Sequence, residues 1–329
     1  MIVYDGIINS LQTHGGISVL FNELKRRMSP DAFKYYTYNK KISSEDILLK
    51  PRLLERYRDF DVRLNNSDIF HSTYYRLPNT SSKVVTTVHD FTYEKYVGGF
   101  KTTVHSYQKN RSIVNSDKVI CVSNNTAEDL IKFCPISESK IEVVYNGVSD
   151  DYHFLNLECQ DYVVFVGARS LYKNFDIAIS AVSKISDLKL LIVGGGSLNV
   201  SEMSLLESKL KNRFEYKGFL SNDELNSVYN QAIALIYPSE YEGFGIPVIE
   251  AQRAGCPVIA VNVSSIPEVA GDSAILIDSP KAELIYDAIL MLLSGSSRKR
   301  FQTLGFENGK RFSWDKCYAE TNKVYQSLK

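Results

Sequence analysis

Two glutamates, Glu242 and Glu250, flank a glycine-rich turn in the stretch EYEGFGIPVIEA, residues 240–251. The apolar run IALIYPS before the turn predicts a buried strand, and Pro247 suits the first turn of a following helix. Glu250 then lies about one turn inside that helix, where its carboxylate can accept two hydrogen bonds from a vicinal diol such as a ribose. Glu242 lies before the helix and faces the crevice at the strand end. Two surface glutamates are the alternative, which the apolar neighbours in YEGFG and VIEA disfavour.

The start of this predicted helix is a candidate site for an anion. The first backbone N–H groups of a helix have no partner within it, and the helix dipole favours negative charge there. The residues that present these groups are Phe244, Gly245 and Ile246.

Two cations follow a second predicted strand, in VVFVGARSLYKNF at residues 163–175. The strand ends at Gly167, and Arg169 and Lys173 follow, where they are placed to clamp a diphosphate. Two exposed loop cations are the other interpretation, because charged side chains usually lie at the surface.

Glycine pairs follow two more predicted strands. Gly15 and Gly16 open a helix in QTHGGISVL, so that their backbone can approach a phosphate; a tight loop that needs glycine for its conformation is the alternative. Gly194 and Gly195, in LKLLIVGGGSL, predict a glycine-lined shelf beneath a nucleotide. A nicotinamide-binding fingerprint is the weaker interpretation, since Asn199 stands where its last glycine would be.

Polar side chains also end strands in the first half of the chain. His89 and Asp90 follow the run VVTTV, where a histidine can act in catalysis or bind a substrate. A structural histidine beside a helix-capping aspartate is the alternative. Aromatic rings and an arginine follow the strand in SDIF, and they suit either a sugar with a diphosphate tail or a structural aromatic cluster. These candidate acceptor residues are His71, Tyr74, Tyr75 and Arg76.

Parallel sheets are needed to bring these residues together. Val/Ile-rich runs alternate with helical patterns along the whole chain, which predicts parallel sheets covered by helices on both faces. Ligands bind at the carboxyl ends of the strands in such sheets. The predicted strands are MIVYD, SDIFHST, KVVTTVHD, KVICVS, IEVVYNG, DYVVFVG, LKLLIVGGG, FEYKGF, IALIYPS and CPVIAV. The predicted helices are 17–28, 124–133, 174–185, 222–231 and 247–254, and the polar segment 149–161 predicts a domain boundary.

Composition limits the classes of function. The 329 residues exceed what one core usually serves, and 44% are apolar, so two domains are expected. The chain carries 38 basic and 38 acidic residues, which leaves no overall field to attract nucleic acid. Five cysteines without paired spacing indicate neither a disulfide framework nor a zinc site and fit a reducing cytoplasm. We expect no signal peptide and no membrane span.

Together these motifs resemble the retaining, nucleotide-sugar-dependent glycosyltransferases of family 4, which have the GT-B architecture. YPSEYEGFGIPVIEA is similar to the family's E-x7-E motif, VGARSLYKNF to its phosphate-binding loop, and TTVHDFTYE to its acceptor-domain histidine motif. The resemblance covers essentially the whole chain. It implies an α/β fold of two doubly wound Rossmann-like domains that face each other across a cleft. The acceptor domain would span 1–155, the nucleotide-sugar domain 156–312, and a helix at 313–329 would cross back.

The resemblance also implies roles for the site residues. Glu250 would bind the ribose hydroxyls, and Glu242 would contact the donor sugar near its anomeric carbon. His89 would orient the donor sugar or help to stabilise the oxocarbenium-like transition state.

Charge on the departing diphosphate would be stabilised by Arg169 and Lys173, with the backbone at Gly15 and Gly16. Many members of the family place the clamp arginine directly after the glycine, where this chain has Ala168. We therefore assign the phosphate contact first to Lys173. With cations in this position the resemblance implies neither a metal nor a cofactor, and the donor is a GDP- or UDP-linked sugar.

The opening strand and glycine loop resemble those of bacterial surface-polysaccharide enzymes. This favours transfer of a mannose-like hexose to a saccharide acceptor, itself lipid-linked, in O-antigen or capsule biosynthesis. The alternatives are a catalytically silent sugar-nucleotide-binding subunit, which would lose His89 or Glu242, and an epimerase of the same architecture. We expect a cytoplasmic protein, with the inner face of the membrane as a peripheral contact. The basic run 25–27 at the end of the first helix could meet anionic lipid there, or be a solvated helix end.

Overall fold

The computed structural model describes residues 1–12, 15–38, 41 and 43–329, and only the backbone of residues 100 and 101. The chain forms two compact units. Unit 1 comprises Met1–Gly147 with Trp314–Lys329, and unit 2 comprises Val148–Ser313. The chain therefore leaves unit 1 at Gly147, before the predicted boundary at residue 155.

Unit 1 is built on a parallel sheet, which has seven strands within the described residues. These strands are β1 (Ile2–Tyr4), β2 (Phe33–Thr37), β3 (Ile47–Leu48), β4 (Ile69–Ser72), β5 (Lys83–Val88), β6 (Lys118–Cys121) and β7 (Ile141–Val143). Their order across the sheet is β3-β2-β1-β4-β5-β6-β7. All five strands predicted in this half are present, whereas β2 and β3 were not predicted. β2 is the tyrosine-rich run FKYYT, which lacks the continuous Val/Ile pattern of the others.

Helices cover this sheet. They are α1 (Ile8–Leu11), α2 (Gly16–Arg26), α3 (Thr92–Tyr96), α4 (Phe100–Val114) and α5 (Asn124–Phe133). In α2 the residues Leu20, Phe21 and Leu24 recur at helical spacing and are buried in the core of unit 1. At the start of α5 the Ser123 hydroxyl accepts a hydrogen bond from the Thr126 backbone at 3.0 Å, which caps the helix.

Unit 2 repeats the plan with a sheet that has six strands among the described residues, again all parallel. These are β8 (Tyr162–Val166), β9 (Lys189–Val193), β10 (Phe214–Gly218), β11 (Leu235–Tyr237), β12 (Val258–Val261) and β13 (Ala274–Ile277), in the order β10-β9-β8-β11-β12-β13. The helices are α6 (Phe175–Ser183), α7 (Val200–Leu210), α8 (Asn222–Gln231), α9 (Ile246–Arg253), α10 (Ile266–Ala270), α11 (Ala282–Leu293) and α12 (Gly295–Gly309). The prediction of two doubly wound, Rossmann-like domains is confirmed.

The last helix, α13 (Trp314–Gln326), belongs to unit 1. Trp314 and Tyr325 pack into the same apolar core as β1 and α2. The Tyr325 hydroxyl lies 2.8 Å from the hydroxyl of Tyr4 and 2.5 Å from Nδ1 of His71. The last helix therefore completes the core of the unit that contains the first strand.

No helix among the described residues combines the length and the apolar character that crossing a membrane requires.

Candidate functional site

The carboxyl edge of the unit 2 sheet gathers the residues of the predicted nucleotide site. β8 lies between β9 and β11. The strands β9 and β10 lie on one side of β8, and the strands β11, β12 and β13 lie on its other side. Such a switch point opens a crevice at the strand ends, because the loops after the two neighbouring strands turn in opposite directions. Lys173 lies in the loop after β8, and Glu242 lies in the loop after β11. The two loops that flank the switch point thus carry opposite charges.

Lys173 and Glu242 form an ion pair across the switch point. Their side chains are only 15% and 12% exposed, so the two charges compensate each other where water is scarce. An ammonium group has three donors, which leaves Lys173 able to bind a second acceptor while it holds Glu242. The structure therefore brings these two predicted residues together.

Backbone and side-chain hydrogen bonds fix the two loops to each other. The Glu240 backbone N–H donates to the carbonyl of Tyr172 at 2.8 Å, and the amide of Asn174 donates to the Pro238 carbonyl at 3.0 Å. Asn174 adopts the left-handed conformation, with φ of 52°, which asparagine tolerates better than most residues. The positions of Lys173 and Glu242 are thus set by the backbone as well as by their charges.

Two serines that sequence analysis missed hold the Glu242 loop from the other side. Ser264 accepts a hydrogen bond from the backbone N–H of Glu242 at 3.0 Å. The hydroxyl of Ser265 donates to the carbonyls of Glu242 and Phe244, at 2.9 and 3.0 Å. The pair of serines directly before α10 was visible in the sequence, but nothing there indicated which loop they would reach.

Helix α9 begins at Ile246, directly after Gly245 and one residue before the predicted start at 247. Gly245 has φ of +99°, and a Cβ at this position would lie 3.1 Å from the side chain of Ile266. Glycine is therefore required by both conformation and space. Phe244 is buried beside it, which leaves the turn narrow and rigid.

Glu250 lies in α9 and is partly buried beside the rings of Tyr229 and Tyr152. The Tyr229 hydroxyl donates to the Glu250 carboxylate at 3.4 Å. Burial raises the pKa of Glu250 to about 7, although the hydrogen bonds from the two tyrosines oppose this shift. The carboxylate thus has fewer hydrogen-bond donors around it than its charge requires, so it can accept hydroxyl groups from a ligand.

Arg169 does not have the surroundings of a phosphate clamp. Its guanidinium is only 3% exposed and pairs with Glu202 at 3.0 Å. Its two terminal nitrogens donate to the carbonyls of Gly194, Gly196 and Ser197, at 2.9, 2.7 and 3.0 Å. Because these acceptors belong to the glycine-rich loop after β9, Arg169 orders that loop, contrary to the prediction that it binds a diphosphate. The position of Arg169 beside the site was predictable, but its carbonyl partners were not, because they come from a loop about 25 residues farther along the chain.

The glycine-rich loop packs directly on the turn after β8. Gly195 has φ of +74°, and a Cβ there would come within 2.5 Å of both the Gly167 carbonyl and Nη1 of Arg169. Gly167 and Gly194 also have positive φ angles, of 110° and 76°. The predicted shelf at Gly194 and Gly195 is thus a close contact between two strand ends.

Three large apolar side chains, which sequence analysis did not single out, lie exposed near the same sheet edge. Leu171 is 97% exposed in the loop after β8, Val200 is 87% exposed at the start of α7, and Phe219 is 68% exposed after β10. All three follow strands of the unit 2 sheet, at the edge where ligands bind in such sheets.

In unit 1 the helix α2 begins at Gly16, as predicted from the glycine pair. Gly15 is extended, with φ of −171°, so its conformation does not require glycine. A Cβ at Gly15 would, however, overlap the side chain of Gln12, which lies across it. The neighbouring Thr13 and His14 of the same predicted loop lie outside the described residues.

His89 and Asp90 follow β5 as predicted. The Asp90 carboxylate accepts a hydrogen bond from the backbone N–H of Thr92 at 2.8 Å, which supports the start of α3. Burial lowers the pKa of His89 to about 4, so its imidazole is neutral near pH 7. Its Nε2 atom is buried and has no hydrogen-bond partner among the described residues. A neutral imidazole with one unused nitrogen can bind a ligand.

The acceptor residues predicted after β4 are mostly structural. His71 lies within β4 and is fully buried. Its Nε2 atom is hydrogen-bonded to the Thr87 hydroxyl at 2.8 Å, and its Nδ1 atom is hydrogen-bonded to the Tyr325 hydroxyl. Arg76 is 1% exposed and pairs with Glu55 at 2.6 Å. Neither side chain can reach an acceptor, so the predictions for His71 and Arg76 are wrong.

The two tyrosines of that segment differ from each other. Tyr75 is 6% exposed and packs edge-on against His105, so it too is a core residue, contrary to prediction. Tyr74 is half-buried, and its hydroxyl accepts a hydrogen bond from Arg56 at 3.1 Å. Tyr74 alone of the four predicted residues keeps an accessible edge.

Among the described residues, no three histidine, cysteine, aspartate or glutamate side chains are grouped as metal ligands would be.

Two family models match the chain, one in each half. The model described as glycosyl transferases group 1 matches residues 154–307, and the model described as glycosyltransferase family 4 matches residues 22–152. The first match contains Lys173, Glu242 and Glu250, and the second contains His89.

Two of the similar proteins are named as O-antigen chain mannosyltransferases. The chain is 26% identical over 309 residues to O-antigen chain mannosyltransferase B of Escherichia coli, which covers 85% of this chain and 81% of the relative. It is 28% identical over 221 residues to O-antigen chain mannosyltransferase RfbU of Salmonella typhimurium, which covers 66% of this chain and 62% of the relative.

Solved structures share the architecture at low sequence identity. A sucrose-phosphate synthase from Thermosynechococcus elongatus superposes with a TM-score of 0.80 at 15% identity, covering 99% of this chain and 98% of that one. WaaG, a glycosyltransferase involved in lipopolysaccharide biosynthesis, superposes with a TM-score of 0.77 at 14% identity, covering 100% and 99%. These likenesses bear on the fold.

The raised pKa of Glu250 predicts a pH-dependent stability. The folded protein keeps the Glu250 proton up to about pH 7, whereas an unfolded chain releases it near the ordinary value of 4.5. Between these values the folded state binds more protons, so this group lowers the free energy of unfolding as the pH rises. Glu250→Gln cannot ionise, so it should melt close to wild type near pH 4 and above wild type near pH 8.

Scanning calorimetry of the free protein measures this difference. Glu240→Gln is the matched control, because Glu240 precedes the same helix but is exposed, and its melting difference from wild type should not change with pH. Equal melting of Glu250→Gln and wild type near pH 8 would contradict the buried, protonated carboxyl.

Proposed function

We propose that this chain, which belongs to the glycosyltransferases of family 4, is a retaining hexosyltransferase that acts in O-antigen or capsule biosynthesis. One observation carries the proposal: the Lys173–Glu242 ion pair joins the two loops of the switch point directly before the start of α9. A cation for a diphosphate and a carboxylate for a sugar thus stand side by side, as sugar transfer from a nucleotide requires.

The proposed donor is a nucleoside diphosphate sugar, GDP- or UDP-linked, with a mannose-like hexose favoured. The names of the two O-antigen mannosyltransferases support the sugar. The proposed acceptor is a saccharide that is itself lipid-linked. Glu250 would accept the ribose hydroxyls, and the ring of Phe219, which is 68% exposed, would contact the base. Lys173 and the start of α9 would bind the diphosphate.

Binding of the donor redistributes the charges at the switch point. Lys173 would keep one hydrogen bond to Glu242 and direct its other donors to the diphosphate. The partly neutralised Glu242 then accepts a hydroxyl of the donor sugar, next to the anomeric carbon. This arrangement supplies positive charge where the leaving group becomes negative, which is electrostatic stabilisation of the transition state.

In the proposed step the oxygen of an acceptor hydroxyl attacks the anomeric carbon. The bond from that carbon to the phosphate oxygen breaks, and its electron pair stays on the departing diphosphate. The hydroxyl proton passes to a diphosphate oxygen on the same face, so the anomeric configuration is retained. Within unit 2 this leaves no need for a separate base, because Glu242 is engaged by Lys173 and Glu250 is assigned to the ribose.

Two other functions share parts of this site. A silent sugar-nucleotide-binding subunit would bind the nucleotide without turnover, and an epimerase would convert the free nucleotide sugar without an acceptor. The presence of both His89 and Glu242 favours a transferase over the silent subunit. Incubation of GDP-mannose and UDP-glucose with the protein, followed by chromatography, separates release of nucleoside diphosphate from epimerisation and from binding alone.

Lys173→Met should weaken the binding of GDP or UDP. The activity that remains in this variant should still need no metal. Loss of a charge-assisted hydrogen bond costs about 1.5–3 kcal/mol, or roughly tenfold to a hundredfold in the dissociation constant. Titration calorimetry measures this dissociation constant, and Lys184→Met, which changes an exposed lysine of the same unit, is the control.

Because we propose a metal-independent enzyme, wild-type transfer should persist in excess chelator. An absolute need for a divalent ion would contradict the role of Lys173.

Glu242→Ala should lower turnover far more than nucleotide affinity. The variant loses the carboxylate that orients the sugar but leaves Lys173 unpaired, so binding of the diphosphate should stay or tighten. Turnover should fall by roughly 10²-fold, the scale of losing one polar group that acts in the transition state.

Proton NMR of the wild-type product should show an α-linkage from an α-linked donor, and a β-linked product would overturn retention.

We also propose that unit 1 contacts an anionic membrane through the segment ILLKPRLLERYR, residues 47–58. Leu53 and Leu54 are 80% and 64% exposed, and Tyr57 is 51% exposed. Leu54 has φ of 56°, a conformation that costs a leucine roughly 1–3 kcal/mol in a place where glycine would be relaxed. Exposed leucines held at such a cost favour a role outside the protein core.

The exposed charged side chains of the 47–58 segment are basic. Glu55, its one carboxylate, is 7% exposed and is engaged by Arg52 and Arg76. Lys50 and Arg58 are exposed and form no ion pair within the described part of the chain. Apolar side chains next to exposed cations suit the interface of an anionic bilayer.

The basic run 25–27 that the sequence singled out is a weaker candidate. Lys25 pairs with the buried carboxylate of Asp46, and Arg26 and Arg27 both pair with Glu23. Its charges are therefore used within unit 1.

Wild-type protein should co-sediment with phosphatidylglycerol vesicles and not with phosphatidylcholine vesicles. Leu53→Ser with Leu54→Ser should reduce binding at least tenfold, because each buried leucine contributes about 1.5–3 kcal/mol. The matched control is Leu290→Ser with Met291→Ser, two adjacent exposed apolar residues on α11, which should bind like wild type. Equal binding of both double variants, or none by wild type, would refute the membrane contact.

A further inference from the structure

Lys109 is a buried cation beneath the segment that follows β5. It lies on α4, and its side chain is only 1% exposed. Lysine is among the residues least often buried, because an ammonium group loses its hydration there. A lysine in this position therefore needs an explanation in terms of what it contacts.

The closest partners of the ammonium belong to one short segment, residues 90–94, whereas the centre of the Tyr75 ring lies farther away, at 5.9 Å. Nζ donates to the backbone carbonyl of Asp90 at 2.6 Å and to the carboxylate of Glu94 at 3.1 Å. It also lies 3.5 Å from the centre of the Phe91 ring. Glu94 is in turn held by the hydroxyl of Ser106 at 2.9 Å, so the far side of the ion pair is fixed to α4 as well. Lys109 thus anchors the residues that directly follow His89.

Packing alone does not account for this arrangement. A methionine fills a similar volume without a charge, and replacing buried ion pairs with apolar side chains is often neutral or stabilising. What a methionine cannot do is bind the Asp90 carbonyl or place positive charge next to His89. The pKa of Lys109 itself is lowered by burial, which Glu94 and Asp90 oppose.

Several ionisable groups surround His89. Asp90 comes from its own segment, Lys109 from α4, His71 from β4, and Tyr75 from the loop after β4. Burial has the largest effect on the pKa of His89 and lowers it. The carboxylate of Asp90 raises this pKa, and the positive charge of Lys109 lowers it further. Its Nε2, buried and without a partner among the described residues, is left for a ligand.

We propose that Lys109 is a positioning residue for His89: it fixes the turn at Asp90 and holds a positive charge beside the imidazole, so that Nε2 is presented in one orientation. This inference rests on the proposed function, in which His89 acts on the donor sugar. Lys109 touches neither substrate nor reacting atoms, so its effect passes through the carbonyl of Asp90 and through its charge.

Lys109→Met tests the inference through the pKa of His89 and the pH dependence of kcat. A purely structural role of Lys109 would leave both unchanged. Removing the positive charge makes protonation of His89 easier, so the His89 pKa, followed by proton NMR of the free protein, should rise. With GDP-mannose or UDP-glucose as donor, the acid limb of the kcat profile should move to higher pH. At its optimum kcat should fall at least tenfold, while the dissociation constant of the donor changes less than about threefold.

Two further variants complete the comparison. Lys109→Arg keeps the charge and should restore both the His89 pKa and most of the turnover. Lys95→Met is the matched control, since Lys95 lies on the adjacent helix α3 but pairs with Asp129 on α5. It should leave the His89 signal and the kcat profile unchanged. A wild-type His89 pKa in Lys109→Met, or turnover equal to wild type, would overturn the inference.

His89→Ala separates this inference from the proposed function. Undiminished turnover in His89→Ala would refute the role of His89 itself, whereas slow His89→Ala together with fast Lys109→Met would refute only the role of Lys109. If Lys109→Met does not fold, Glu94→Gln decides. It leaves the ammonium less compensated and should move the acid limb to lower pH, and an unmoved limb would overturn the inference.

Discussion

The ion pair between Lys173 and Glu242 is the interaction on which the rest of the unit 2 site depends. It joins the loops after β8 and β11 at the place where the chain changes direction across the sheet. Each partner would be an uncompensated, largely buried charge without the other, so the pair constrains both loops at once. The start of α9 and the carboxyl group of Glu250 are positioned by the same loop. A change that separated the pair would therefore disturb phosphate, sugar and ribose contacts together.

Much of this layout could be predicted from the sequence, because it follows from rules about strands and their ends. The runs of valine and isoleucine identified the central strands, and Lys173, Glu242 and Glu250 follow those strands at the sheet edge where ligands bind. The start of α9 was also predictable, since Pro247 and the glycine before the helix are local signals. β2 escaped detection because its tyrosines and lysine lack a clear alternation.

What the sequence could not settle was the direction in which a polar side chain points. Arg169, His71 and Arg76 all stand near strand ends, yet each is turned into the protein, where carbonyls, a tyrosine hydroxyl or a carboxylate receive it. Such partners come from distant parts of the chain, so no local pattern announces them. The net charge of zero does not reveal these pairs either: Arg76, Lys109 and the partly buried Lys173 each pair with a carboxylate inside the protein.

The return of α13 to unit 1 has a consequence for how the protein is made. The core of unit 1 contains Tyr4 and Phe21 from the beginning of the chain and Trp314 and Tyr325 from its last helix. During synthesis the continuous segment that forms unit 2 leaves the ribosome before those last residues do, and domains generally fold as units. Unit 2 can therefore reach its native state on the ribosome, while unit 1 holds an open apolar groove until α13 has also been made. The half of the protein that is translated first is the half that is finished last.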